Sequence, residues 1–159
     1  MVRGDLTRAG AYFVTIRTRE RECLFGHIVN GKMQMNGIGQ IVRDAWNGLP
    51  HHYPHVELDA FIVMPNHVHG IVIIADHAGT RLPRPYKKRK ITLGQIVAYF
   101  KSKATKQINE WRNTPALPVW QGDYDQDVIR SKNKLSRTRK YIAHHPARWA
   151  DDEDNPIHS

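Results

Sequence analysis

Cysteine is nearly missing from this chain of 159 residues, where Cys23 stands alone. A lone thiol excludes an intrachain disulfide and any zinc site built from several thiolates, so stability has to come from a packed core. A chain of this length can supply one as a single domain. Cys23 itself is expected to be a small buried hydrophobe. Long apolar runs are missing too. No window approaches the ~18 consecutive apolar residues of a membrane span, and MVRGDLTRAGAYF has no apolar centre of the signal-peptide kind. A soluble, cytoplasmic protein with no membrane partner is expected. Internal repeats, heptads and Ser/Gly linkers are absent as well.

Acid is scarce outside one place. The chain has 24 Lys and Arg against 15 Asp and Glu, a net charge of +9, and four of the acids are Asp151, Asp152, Glu153 and Asp154. Residues 1–149 therefore hold all 24 bases against 11 acids. So basic a body suits a polyanion partner, the bland alternative being a charge that serves solubility alone. The domain is read as residues 1–149, followed by an acidic, disordered tail over 150–159.

What is present is a succession of short elements. In AYFVTIRT, Tyr12, Val14 and Ile16 alternate with Phe13, Thr15 and Arg17, a strand with two distinct faces. Asn30-Gly31 between two apolar-rich runs predicts a tight hairpin. Ile38, Ile41, Val42, Ala45, Trp46 and Leu49 recur at helical spacing before Pro50. Strands are expected at 55–64 and 67–75, then an exposed basic loop over 76–90, where prolines and charge exclude a core element. Thr92 and Gln95 stand in the capping-box relation and open a long amphipathic helix, with Lys101, Lys103 and Lys106 off its apolar stripe. A final strand in VWQGDYDQDVIR and a basic helix ending at Pro146 complete the chain. The class is α+β, a sheet with helices packed against it.

His67 and His69 lie two apart on a predicted strand, so both rings leave by one face while Val68 leaves by the other. That spacing suits gripping one metal ion or one phosphate, and it suits hydrogen-bonded core histidines equally well. HHYPH at 51–55 is a rival cluster, in a predicted surface loop. On the last helix Tyr141 shares one side with His144 and His145. Leu135 and Ile142 are that helix's main apolar anchors, so Tyr141 need not be fully buried. Tyr99 and Tyr124 read as packing residues.

NHVH on a strand, FKS on the middle helix, VWQ with IR a few residues on, and YIAHHP on the last helix together resemble the HUH single-tyrosine transposases. Within them the likeness is to the REP-associated, insertion-sequence 200-like branch, and it runs from about residue 11 to 149. It implies a ferredoxin-like or RRM-like HUH nuclease fold around a central antiparallel sheet. His67 and His69 would hold a divalent ion, Mg²⁺ or Mn²⁺, and Tyr141 would attack single-stranded or hairpin DNA, leaving a 5′-phosphotyrosine and a free 3′-hydroxyl. His145 stands where such proteins often carry an Asn or Gln metal ligand, and an imidazole there moves preference from Mg²⁺ toward Mn²⁺ or softer ions. Lys101, Lys103, Lys106, Arg130 and Arg137 become candidate DNA contacts. The chain would act as a monomer or a homodimer. Two other classes compete: a non-catalytic basic nucleic-acid-binding module, with neither metal dependence nor covalent product, and a histidine-triad phosphohydrolase, whose third strand histidine is replaced by Ile71.

Overall fold

The computed structural model describes residues 9–75 and 91–158; the basic loop expected over 76–90 lies outside the described residues. In chain order the elements are β1 (Ala9–Arg17), β2 (Gly26–Val29), β3 (Lys32–Met35), α1 (Gly37–Asn47), α2 (Leu49–His52), β4 (Val56–Met64), β5 (His67–Ala75), α3 (Leu93–Trp111), β6 (Asp125–Ile129) and α4 (Lys132–His144). Four strands form one antiparallel sheet in the order β4-β5-β1-β6. Each helical crossover skips a position that an antiparallel neighbour fills, the split βαβ arrangement of ferredoxin-like α+β folds. The β2-β3 hairpin stands apart as a two-stranded sheet. Its turn residues Asn30 and Gly31 both have positive φ, at 52° and 74°, as a two-residue hairpin loop of the mirror-image type demands.

Strand alternation sorts side chains onto two faces. Val14, Ile16, Val68 and Val72 point to one layer, where Val42 and Trp46 of α1 and Ile96 and Phe100 of α3 meet them. The capping box of α3 is formed, with Gln95 N–H donating to Thr92 Oγ1 at 3.2 Å and Thr92 N–H to Gln95 Oε1 at 3.0 Å. Gly70 in the middle of β5 is demanded by this layer. Trp46 lies across it, stacked on Phe61 with ring centroids 4.7 Å apart, and a methyl at Gly70 would run into the indole.

The opposite face is smaller. Ala11, Ile71, Ile73 and Ile129 pack against Leu135 and Ile142 of α4. Strand β4 contributes through a bulge, its register against β5 slipping between Leu58 and Phe61. Asp59, beside the bulge, faces α4, where its carboxylate accepts two 2.8 Å bonds from the Arg139 guanidinium.

Two expectations are corrected. Cys23 is exposed rather than buried, because the adjoining Phe25 fills the core position of that connection. Residues 150–158 are folded rather than disordered. A 3-10 turn over Pro146–Asp151 returns the chain to the sheet, and Asp152 and Asp154 are buried. The basic body supplies the reason: Asp154 pairs with Arg17 at 2.9 Å, and Arg21 donates to the Glu153 carbonyl at 2.7 Å. Alternation and cap signals, the histidine strand among them, are otherwise met within a residue or two. HHYPH differs in detail, its first two histidines closing the short helix α2.

Candidate active site

His67 and His69 leave β5 on the face toward α4, and both are buried, at 0% and 4% exposure. His69 lies opposite Thr15 of β1, whose hydroxyl meets its Nδ1 at 2.9 Å. His67 Nδ1 meets Asn66 Oδ1 at 2.8 Å. The Asn66 amide nitrogen is engaged by the Arg21 and Asp154 carbonyls, so Oδ1 accepts and His67 carries its proton on Nδ1. Its Nε2 lone pair is left facing inward. Burial pushes the His67 pKa down to about 4, with His145 and Arg17 adding to the fall and Asp154 and Asp152 opposing it. Burial likewise lowers His69, aided by His67, His145 and Arg17. Both rings are therefore neutral at physiological pH.

The third ring comes from the end of α4. Ser131 caps that helix through Lys134 N–H, and Leu135 and Ile142 seat it on the sheet. His145 follows as the C-cap residue, 5% exposed. Its Nε2 lies 3.2 Å from His69 Nε2, which lies 3.1 Å from His67 Nε2. Three buried imidazole nitrogens packed this closely can share a proton through N–H···N bonds, and they could equally hold one divalent ion. The donor set fits such an ion, and the residues able to hold it are His67, His69 and His145. Nδ1 partners at His67 and His69 fix the ring orientations, as second-shell bonds do at metal centres.

Tyr141 sits one helical turn before His145, 42% exposed. Its ring centroid lies 5.0 Å from that of His145, 5.8 Å from that of His69 and 5.9 Å from that of Phe13. Burial raises its pKa, and Asp152, Asp154 and Glu153 raise it further. The hydroxyl is therefore protonated at neutral pH. An open cleft of about 710 Å³ joins Tyr141, His69 and His145 to Arg17, Arg148 and the acidic segment. This is a buried nitrogen trio beside an accessible phenol, an arrangement suited to polarising an anionic group and attacking it.

The structure brings together four of the residues singled out from the sequence, Tyr141, His67, His69 and His145. Arg137 lies one turn before Tyr141 on the same helix, and Arg130 just precedes that helix; both are exposed. Lys101, Lys103 and Lys106 are set apart, since α3 packs on the other face of the sheet. Lys101 is also occupied, its Nζ donating to the carbonyls of Gln121 and Asp123 at 2.8 and 3.0 Å. Sequence reasoning missed Arg17, Asn66, Asp152 and Asp154. Arg17 had a signal, sharing by strand alternation the face of Thr15; an acidic run near a basic body offers no comparable one.

No family model matches the chain. It is 36% identical to an uncharacterized protein of Haemophilus influenzae over 155 residues, covering 91% of this chain and 84% of that one. Among solved structures it is similar to a REP-associated tyrosine transposase bound to a REP hairpin, with a TM-score of 0.62 and 19% identity, covering 87% of this chain and 67% of that one. A candidate transposase from Deinococcus radiodurans is similar at a TM-score of 0.52 and 14% identity, covering 84% and 88%.

Proposed function

Since the chain belongs to one family with the Haemophilus influenzae protein and has the fold of the tyrosine transposases, we propose that it is a metal-dependent enzyme that nicks and rejoins single-stranded DNA. The observation that carries this reading is the placement of the Tyr141 ring within 5.0 Å of His145 and 5.8 Å of His69, at the mouth of an open cleft.

In this reading His67, His69 and His145 hold a divalent ion through their Nε2 atoms. When bound, that ion withdraws charge from a non-bridging oxygen of the scissile phosphate. Three imidazoles favour Mn²⁺ or a softer ion over Mg²⁺. Tyr141 Oη attacks phosphorus. The Oη–P bond forms as the P–O3′ bond breaks, the phenol proton passes to solvent water in the open cleft, and solvent water returns a proton to the departing 3′-oxygen, leaving a free hydroxyl. The 5′-phosphotyrosine keeps the energy of the cleaved diester, so rejoining needs no nucleotide cofactor. Arg17 and Arg148 line the cleft where a backbone phosphate would lie, and Arg130 and Arg137 would carry the strand along α4. Lys101, Lys103 and Lys106 would touch only DNA that reaches round to the α3 layer. A hairpin or palindromic substrate is proposed by analogy with the REP hairpin bound by the structural neighbour. Among the described residues no helix is long and apolar enough to cross a membrane, in keeping with the cytoplasmic location we propose, as a monomer or a homodimer.

The test is a labelled hairpin oligonucleotide with a single-stranded flank, incubated with Mn²⁺ or Mg²⁺. A covalent adduct should form, and Tyr141→Phe should lower its yield by at least ~10³-fold. An adduct that survives the substitution undiminished sinks the nucleophile; binding with no adduct at all favours a non-catalytic module.

A further inference from the structure

Three imidazoles are neutral donors, and a dication held by them alone in a buried site keeps its full charge uncompensated. A carboxylate stands ready beside them. The Asp152 side chain is 4% exposed, and its Oδ1 accepts the Asp154 backbone N–H at 2.8 Å. Its Oδ2 is buried and receives no aligned N–H, although His145 Nε2 lies 2.7 Å away. A buried carboxylate oxygen 2.7 Å from an imidazole nitrogen pairs with it when that nitrogen carries a proton, and is near enough to reach an ion that the nitrogen holds when it does not. His145 Nε2 in turn adjoins His69 Nε2, and that adjoins His67 Nε2.

From this geometry we infer that Asp152 is a fourth protein ligand of the ion held by His67, His69 and His145, delivered through Oδ2 by the segment that follows α4. The inference rests on reading the three histidines as metal ligands and adds what completes their set. The segment is fixed for the purpose. Asp154 is paired with Arg17 at 2.9 Å, and its carbonyl accepts the Asn66 amide N–H at 2.7 Å. Asn66 is also the residue that orients His67, through Oδ1. One side chain thus ties a histidine ligand and the carboxylate-bearing segment together. Three imidazoles with one carboxylate give the ion a net charge of about +1 and a donor set for Mn²⁺, Co²⁺ or Zn²⁺ rather than Mg²⁺.

Co²⁺ is the probe, because its visible d–d bands report its ligands. The wild-type protein should bind one Co²⁺, and His67→Ala should abolish binding. Asp152→Asn should weaken it about 10- to 100-fold and change the band shape, while Asp151→Asn, at an exposed neighbour, changes neither. Wild-type affinity and spectrum in Asp152→Asn, together with loss in His67→Ala, overturn the fourth ligand and leave the three-histidine site standing. A wild-type protein that binds no Co²⁺ overturns both. Should Asp152→Asn not fold, the wild type decides alone: anomalous scattering from a Co²⁺-loaded crystal should place an Asp152 carboxylate oxygen about 2.0–2.2 Å from the ion, as carboxylates lie from zinc. A separation beyond about 3 Å rejects the inference.

Discussion

The two faces of the sheet share the same strands and differ in what they bury. Toward α1 and α3 the described residues include 18 buried apolar side chains in one cluster, where the Trp46 ring meets those of both Phe61 and Phe100. Toward α4 there are six, and around them lie buried Thr15, His67, His69, His145, Asp152 and Asp154. At roughly 1.5–3 kcal/mol per fully buried large apolar side chain, most of the hydrophobic stabilisation sits on the first face. That surplus lets the second face hold desolvated imidazoles and carboxylates. The division runs residue by residue along β5, where Val68 packs in the core between two candidate ligands.

The comparison breaks or sharpens under four changes. The largest expected effect is Trp46→Ala on the packed face, about 3–5 kcal/mol of stability lost on urea unfolding. The protein that remains folded should keep its metal affinity; a parallel loss of metal binding would mean that the two faces are not separate. Next is acidification of the metal-free protein. His67 has its ordinary value of 6.5 unfolded and about 4 folded, so below pH 6.5 the unfolded chain takes up a proton that the folded chain refuses. Stability should fall as pH drops through that window, by roughly 3 kcal/mol, and a flat urea-midpoint profile from pH 7 to 4 would contradict the buried neutral ring. Third is Arg139→Ala, which deprives the 6%-exposed Asp59 carboxylate of its bidentate partner on α4. It should cost about 1–3 kcal/mol, read in the same unfolding assay. The smallest effect concerns DNA. Arg137→Ala should reduce the slope of log affinity against log salt by about 0.7 on a single strand, and Lys103→Ala, on the α3 layer, by less. Equal reductions would show that DNA wraps both faces.

Local chemistry made much of this legible beforehand. Asn30-Gly31 announces its hairpin, Thr92 and Gln95 announce the start of α3, and apolar alternation marks β4 and β5. The His67, His69, His145 and Tyr141 grouping needed motif order, since spacing alone fits core histidines as well. The β4 bulge was hidden because VELDAFIVM reads as an unbroken strand, and the slip shows only against the partner strand. The folded acidic segment was hidden for a related reason. Its anchor is Arg17, 137 residues away from Asp154, and no local pattern reports a pairing at that range. Periodicity puts the lysines of α3 off its apolar stripe, but which side of the sheet the stripe covers is a tertiary fact.

The distance between His69 and His145 along the chain is 76 residues. A chain leaving the ribosome presents the histidine strand long before the helix that carries the tyrosine, and β6, which borders β1, also comes late. Contacts of such separation close slowly, and synthesis orders them in time. A nascent chain therefore holds an incomplete centre, two histidines without the third ring or the tyrosine beside it. The candidate site matures last, after the core that must support it has been made.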